Sequence, residues 1–149
     1  MPSLPSVRLH RWAIVDASVW VSRFIIADLH HDESRFWLQQ HLSGGSRVVS
    51  PTLLLVEVAG AIARRTGDTR HAQRTIDLLR ATPGLRWVAL SGETADQAAV
   101  LAAGQRLRGA DAVYVALAKR LRIPLITWDN EQLSRSGPAI QALAPNRTT

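Results

Sequence analysis

The residues that promise chemistry in this sequence are four carboxylates, Asp16, Glu57, Asp111 and Asp129. Glu57 stands inside Leu53-Leu54-Leu55-Val56-Glu57-Val58-Ala59-Gly60-Ala61-Ile62, a segment apolar on nearly every side of a helix. Such a helix is buried, and burying a carboxylate costs several kcal/mol unless it is paired or bound to a metal. Asp111 raises the same question in Gly109-Ala110-Asp111-Ala112-Val113-Tyr114-Val115-Ala116-Leu117-Ala118. Asp16 and Asp129 each follow a short apolar run that reads as a buried strand. Taken singly, each acid has an ordinary explanation: a helix cap for Asp16, a turn residue for Asp129, a charge favoured by a helix N-terminus for Asp111, an arginine partner for Glu57. Taken together they ask for one explanation. Carboxylates brought together repel unless cations neutralise them, and an oxygen-only ligand set suits Mg²⁺, or Mn²⁺, rather than zinc.

The elements that must bring these acids together follow from the apolar pattern. Trp12 to Val15 predicts a strand ending at Asp16, and the spacing of Phe36, Trp37, Leu38 and Leu42 predicts a helix over 32–42, broken by Ser43-Gly44-Gly45-Ser46. Arg47 to Val49 is a second strand. Ser50 and Pro51 then read as the cap and first position of a helix running from Leu53 to Arg65. Asp68 caps the next helix, to about Arg80; Leu85 to Leu90 is a third strand; Ser91 caps an alanine-rich helix from Glu93 to about Arg106. Gly109 marks a break before a helix from Asp111 to Leu121, Pro124 to Thr127 is a fourth strand, and Ala139 to Leu143 a fifth. Strands alternating with helices predict an α/β fold, with right-handed crossovers and a mostly parallel sheet covered on both faces. Asp16 and Asp129 then lie past the C-terminal ends of parallel strands, the edge where open α/β sheets bind ligands.

Composition narrows the field. The chain has 149 residues, 46% hydrophobic and 20% charged, which suits one globular domain. We read residues 1–11 as a flexible tail and 12–149 as a single domain. No apolar run is long enough to span a bilayer, and the first twelve residues lack the apolar stretch of a secretory signal, so the expected compartment is the cytoplasm with no membrane partner. There is no cysteine, which excludes disulfides, thiolate metal sites and cysteine catalysis. The formal net charge is +6, and every basic residue except Lys119 is an arginine. That balance favours a polyanionic partner, with arginine adding bidentate phosphate contacts. Glycine-rich nucleotide-binding patterns and a His-x-x-x-His pair are absent. The five histidines fall mostly in polar stretches. Trp12, Trp87 and Trp128, in or beside strands, read as core, whereas Trp20 and Trp37 are free to line a groove or dimer face.

Four segments in order give the sequence a family resemblance: Val15-Asp16-Ala17-Ser18, Pro51-Thr52-Leu53-Leu54-Leu55-Val56-Glu57-Val58, Gly109 to Ala118, and Pro124-Leu125-Ile126-Thr127-Trp128-Asp129. The chain resembles the PIN-domain family, and most closely its VapC-type toxin branch, over nearly all its length after about residue 12. The resemblance implies a PIN-like three-layer α/β/α sandwich with a five-stranded sheet, the four acids clustered at its C-terminal edge, and Mg²⁺-dependent cleavage of RNA. It also implies a homodimer and a small antitoxin partner. Ser18 and Thr127 fall where such proteins often carry a hydroxyl near the metal, although a helix-start hydroxyl and a strand threonine account for them equally well. Asn130 follows the last acid where some members have a further acid; it either lends an oxygen to the metal shell or shapes the turn.

On this reading Asp16, Asp111 and Asp129 hold the metal, and Glu57 is a ligand or orients the attacking water. The arginines hold the RNA backbone outside the acidic pocket. Two rivals are weighed. A catalytically inactive PIN-like RNA-binding module would have lost acids that are all present here. A phosphotransfer domain also places an aspartate after the first strand. The dehalogenase type wants a second acid at position 18, where Ser18 stands. The receiver type wants an acidic pair before Asp16, where Ile14-Val15 stand.

Overall fold

The computed structural model describes residues 11–138 and 140–147. Five short strands, β1 (Trp12–Val15), β2 (Arg47–Pro51), β3 (Leu85–Val88), β4 (Leu125–Ile126) and β5 (Ala142–Leu143), form one sheet in the order β3-β2-β1-β4-β5. Every pairing is parallel, with Ile14 opposite both Val49 and Leu125. Among the described residues seven α-helices connect them: α1 (Ala17–Phe24), α2 (His31–Ser43), α3 (Leu53–Thr66), α4 (Thr69–Ala81), α5 (Gly92–Gln105), α6 (Gly109–Leu121) and α7 (Asn130–Arg135). From β1 the chain moves outward through β2 to β3, then crosses back to β4 and on to β5. Right-handed crossovers therefore put α1–α4 on one face and α5–α7 on the other. This is the three-layer α/β/α sandwich expected from the sequence.

The central strands explain the apolar runs. Ile14, Val15, Leu125 and Ile126 are at most 2% exposed, because parallel strands are covered on both faces. Around them pack Val19 and Trp20 of α1, Leu54, Val58 and Ile62 of α3, and the run Ala112–Ala118 of α6, whose apolar character on all sides reflects its burial.

Several local expectations are corrected. Ser50 and Pro51 do not open a helix; they end β2, and Thr52 is the N-cap of α3. Thr52 N–H donates to the Val88 carbonyl, so the nitrogen of Pro51 faces the β1 side. There the ladder has already ended at the Ile14–Val49 pair, and a missing donor breaks no bond. Gly109 is not a break but the first residue of α6, with Arg108 as its N-cap. Glycine's entropic penalty falls on helix interiors, so it is tolerated at the first position, and Asp111 lands in the first turn. Helix α7 was not expected at all. Trp12 is 36% exposed rather than core, and Trp20, while part of the core, also lines a groove beside α1 and α2 as expected. The fifth strand is shorter than expected, with Ala139 outside the described residues. Residues 1–10 also lie outside them, while the carbonyl of Arg11 already accepts the Arg47 N–H.

Candidate active site

The sheet reverses its direction of growth between β1 and β4, which makes the C-terminal ends of these two strands the topological switch point. Asp16 leaves β1 there, and Thr127-Trp128-Asp129 leave β4 beside it. The Asp16 N–H donates to the Ile126 carbonyl at 2.9 Å, clipping the two strand ends together. Asp16 caps α1: its Oδ2 accepts the Ser18 N–H at 2.9 Å. Asp129 caps α7: its Oδ1 accepts the Gln132 N–H at 2.8 Å. The ordinary explanation of Asp16 as a helix cap is thus correct, Asp129 is a cap as well rather than a turn residue, and the caps hold both carboxylates at the switch point.

Glu57 reaches the same region from α3. Its Oε1 accepts a 2.6 Å hydrogen bond from the Tyr114 hydroxyl. Among the described residues no arginine pairs with it, so the partner proposed for it from sequence is replaced by a phenol. Burial pushes the Glu57 carboxyl up to about 7, the Tyr114 hydrogen bond opposes this, and the charges of Asp16 and Asp111 add to it. Asp111, in the first turn of α6, is pushed up to about 6 by burial and by Asp16 and Asp129, with Arg108 opposing and Glu131 adding. Asp16 is also raised, mainly by burial; bonds from Ser18 and Gln132 oppose the rise, and Asp129 adds to it. Tyr114, fully buried, is held well above its usual range by burial and by Glu57.

Asp16 is the hub of this electrostatic set, since its charge is felt by both Glu57 and Asp111 and it feels Asp129. Each of the four acids predicted from sequence thus feels or exerts the charge of at least one other, and none of them takes part in an ion pair among the described residues. Mutual repulsion without a paired cation suits a hard divalent ion. The side chains as placed do not close a shell around one, however. Among the described residues no three His, Asp or Glu groups converge tightly enough to grip an ion. The donor chemistry fits a metal, and the convergence is incomplete.

Residues 13–137 match the family model of the PIN domain. The chain belongs to the PIN-domain family. Solved structures of the same fold agree. A Mycobacterium tuberculosis toxin, VapC20, described as cleaving the sarcin–ricin loop, superposes with a TM-score of 0.71 at 18% identity, covering 87% of this chain and 98% of that one. A toxin–antitoxin complex from Klebsiella pneumoniae gives 0.65 at 19% identity, covering 89% and 97%. VapBC2 of Rickettsia felis, solved bound to a DNA fragment of its promoter, gives 0.67 at 12%, covering 89% and 98%. At such identities the likeness is one of fold. No curated protein matches the sequence.

The accessory residues of this PIN domain divide. Ser18 and Thr127 lie at the switch point, their hydroxyl oxygens 3.3 Å apart. Ser18 Oγ accepts the Trp128 N–H, and Thr127 Oγ1 accepts the Asp129 N–H. Both therefore shape the turn that presents Asp129. Asn130 is exposed at the start of α7, and it is the charge of Glu131 that reaches Asp111. One residue escaped the sequence reading altogether. Gln132 is fully buried, and its Nε2 donates to Asp16 Oδ1 at 3.1 Å and to the Asp111 carbonyl at 3.3 Å, while its Oε1 accepts from Thr127 Oγ1 at 2.6 Å. A signal existed: Asp129-Asn130-Glu131-Gln132 has the spacing of a capping box. Beside it Trp128 stacks on His30 with ring centroids 3.8 Å apart, and its Nε1 donates to Ser34 Oγ.

Proposed function

We propose that this PIN domain is a metal-dependent endoribonuclease, the toxin of a toxin–antitoxin pair. The observation that carries the reading is the placement of Asp16 and Asp129 at the β1–β4 switch point, with Glu57 and Asp111 near enough to feel the charge of Asp16, in a chain with a net charge of +6. Asp16, Asp111 and Asp129 would hold Mg²⁺, or Mn²⁺ in its place. Such an ion, when bound, lowers the pKa of a ligated water and stabilises charge on the phosphate. Glu57, poised at about 7 with Oε1 committed to Tyr114, would orient the attacking water and take its proton through Oε2. Arg108, exposed at the N-cap of α6 and close enough to lower Asp111, would meet the RNA backbone at the rim. Arg106 and Arg135, joined through the Arg106 carbonyl, would extend that rim.

The toxin assignment rests on the likeness of fold to VapC toxins and toxin–antitoxin complexes. It brings with it a small antitoxin partner, a homodimeric state and a site of action in the cytoplasm. No helix among the described residues is long and apolar enough to cross a membrane. In the apolar stretch Trp20, Phe24, Ile25 and Ile26, Trp20 and Ile25 are core and Ile26 is 85% exposed. Ile26 and Phe24 line an open groove with Arg23, Arg35 and Leu78, where an antitoxin segment would lie.

The experiment is incubation with structured RNA and Mg²⁺, with and without chelator; the loop cleaved by the M. tuberculosis relative is the first substrate to try. Cleavage that stops in EDTA and in Asp16→Asn and Asp111→Asn is expected. Cleavage undiminished by excess EDTA overturns the metal reading. A second reading, an inactive RNA-binding module, is favoured by the incomplete convergence of the carboxylates. It predicts RNA binding without cleavage at any metal concentration.

A further inference from the structure

Gln132 is the one fully buried amide side chain among the described residues, and it lies in the middle of the candidate site. Burying an amide is unfavourable unless its hydrogen-bonding groups are met. Here they are met by the segments that carry the acids. Nε2 donates to Asp16 Oδ1, after β1, and to the Asp111 carbonyl, at the start of α6. Oε1 accepts from Thr127 Oγ1, after β4. The backbone N–H of Gln132 donates to Asp129 Oδ1, and its carbonyl accepts the Ser136 hydroxyl. One residue thus touches three segments that are far apart in sequence.

The direction of these bonds is fixed. The Asp111 carbonyl can only accept, so Nε2 must face it and the amide cannot be reversed. Thr127 Oγ1 accepts the Asp129 N–H and gives its one hydrogen to Gln132 Oε1. Ser18 Oγ accepts the Trp128 N–H, and its hydrogen has two acceptors in reach, the Asp16 carboxylate and Thr127 Oγ1 at 3.3 Å. Donation therefore runs from Thr127 through Gln132 to Asp16 Oδ1, and each bond polarises the next. Asp16 Oδ2 also receives a donor, the Ser18 N–H. Both oxygens of Asp16 are held as acceptors in one rotamer.

We infer that Gln132 is a positioning residue that holds Asp16 in the orientation and separation from Asp111 and Asp129 needed to take a divalent cation. The inference rests on the metal-dependent reading proposed above. Partners that orient ligating carboxylates contribute about 10–100-fold to metal affinity. A residue that merely filled space would contribute none.

The test uses the metal alone, without RNA. Mg²⁺ and Mn²⁺ are titrated by calorimetry into the wild-type protein and into Gln132→Met, which keeps the length of the side chain and removes its hydrogen bonds. The expected result is a Gln132→Met protein that folds and needs about tenfold more metal, or greater, for half-saturation. Metal binding within twofold of wild type overturns the role of Gln132 and leaves the nuclease reading standing. Wild-type protein that binds neither ion overturns both. If Gln132→Met does not fold, the wild-type ¹⁵N spectrum decides. Side-chain amide signals of Gln132 that shift on saturation with Mg²⁺ support the role, and signals that stay in place overturn it.

Discussion

The Tyr114 hydroxyl lies 2.6 Å from Glu57 Oε1, tying the buried run Ala112–Ala118 of α6 to the acid whose burial the sequence could least excuse. The bond stabilises the ionised carboxylate, yet burial and the neighbouring acids still leave Glu57 at about 7. A base poised there is half ready at neutral pH.

Tyr114→Phe removes the hydroxyl and leaves the ring. Hydrogen bonding to the charged form lowers a carboxyl pKa, so its loss moves Glu57 further up. The acid limb of the pH profile of kcat/KM for RNA cleavage should shift to higher pH. Activity should fall severalfold near pH 6.5 and recover on the alkaline plateau. An acid limb that stays put removes Glu57 from the role of base.

Ser34 is the structural counterpart on the other side of the site. It is fully buried, with its hydroxyl 2.6 Å from Ser22 Oγ and accepting the Trp128 indole N–H at 2.7 Å. Ser34→Ala leaves the Trp128 indole N–H without its acceptor, while the Ser22 hydroxyl keeps its bond to the Val19 carbonyl, at a cost of about 1–3 kcal/mol. For a chain of this size that corresponds to a fall in Tm of roughly 2–4 °C per kcal/mol. Trp128 adjoins Asp129, so cleavage should fall together with stability. A melting curve identical to wild type would show that the indole finds another acceptor.

These residues also mark what a reader of the sequence can reach. The acids were legible because each sits wrongly for its surroundings: Glu57 and Asp111 in apolar helices, Asp16 and Asp129 at strand ends. The sheet was legible because buried parallel strands are unbroken apolar runs. Gln132 was hidden for the opposite reason. Its neighbours Asn130, Glu131, Ser134 and Arg135 are polar, and a glutamine among them looks like surface. Tyr114 was read as one more apolar residue of α6, since nothing local shows that its hydroxyl meets α3. Ser50-Pro51 imitated a helix start because the same two residues also suit a strand end whose neighbour has stopped. Partners distant in the chain decide all three.

RNA affinity should depend steeply on salt. The acidic pocket repels phosphate, so binding must come from arginines such as Arg108 around its rim. Neutralising Z phosphates of a single strand gives a slope of log K against log salt of about −0.7Z. Arg108→Ala should reduce the magnitude of that slope by roughly one contact's worth. The measurement is fluorescence anisotropy with a labelled RNA in EDTA, which also prevents metal-dependent cleavage. A slope near zero would assign the net charge of +6 to solubility alone.

Asp111→Asn should stabilise the metal-free protein, and by an amount that depends on pH. Among the described residues no basic side chain is ion-paired with Asp111. Burial and the charges of Asp16 and Asp129 raise its folded pKa from 3.8 to about 6. Between these values the folded state binds more protons than the unfolded state, so stability falls as pH rises. Below the unfolded pKa the group is protonated in both states and no stability is lost; above about 6 the loss is complete. Glu57 adds a second loss between 4.5 and about 7. Because Asp111 is partly open to solvent, its share is about 1 kcal/mol after allowing for screening. That is worth roughly 2–4 °C in Tm for a chain of this length. Thermal unfolding in EDTA should therefore give wild type and Asp111→Asn nearly equal Tm values at pH 4, with the variant melting higher by pH 7. Mg²⁺ binds the folded state of the wild type and should close the gap from the other side. An Asn variant that melts lower than wild type at pH 7 in EDTA would make Asp111 a stabilising helix-start charge, and the site would lose one of its ligands.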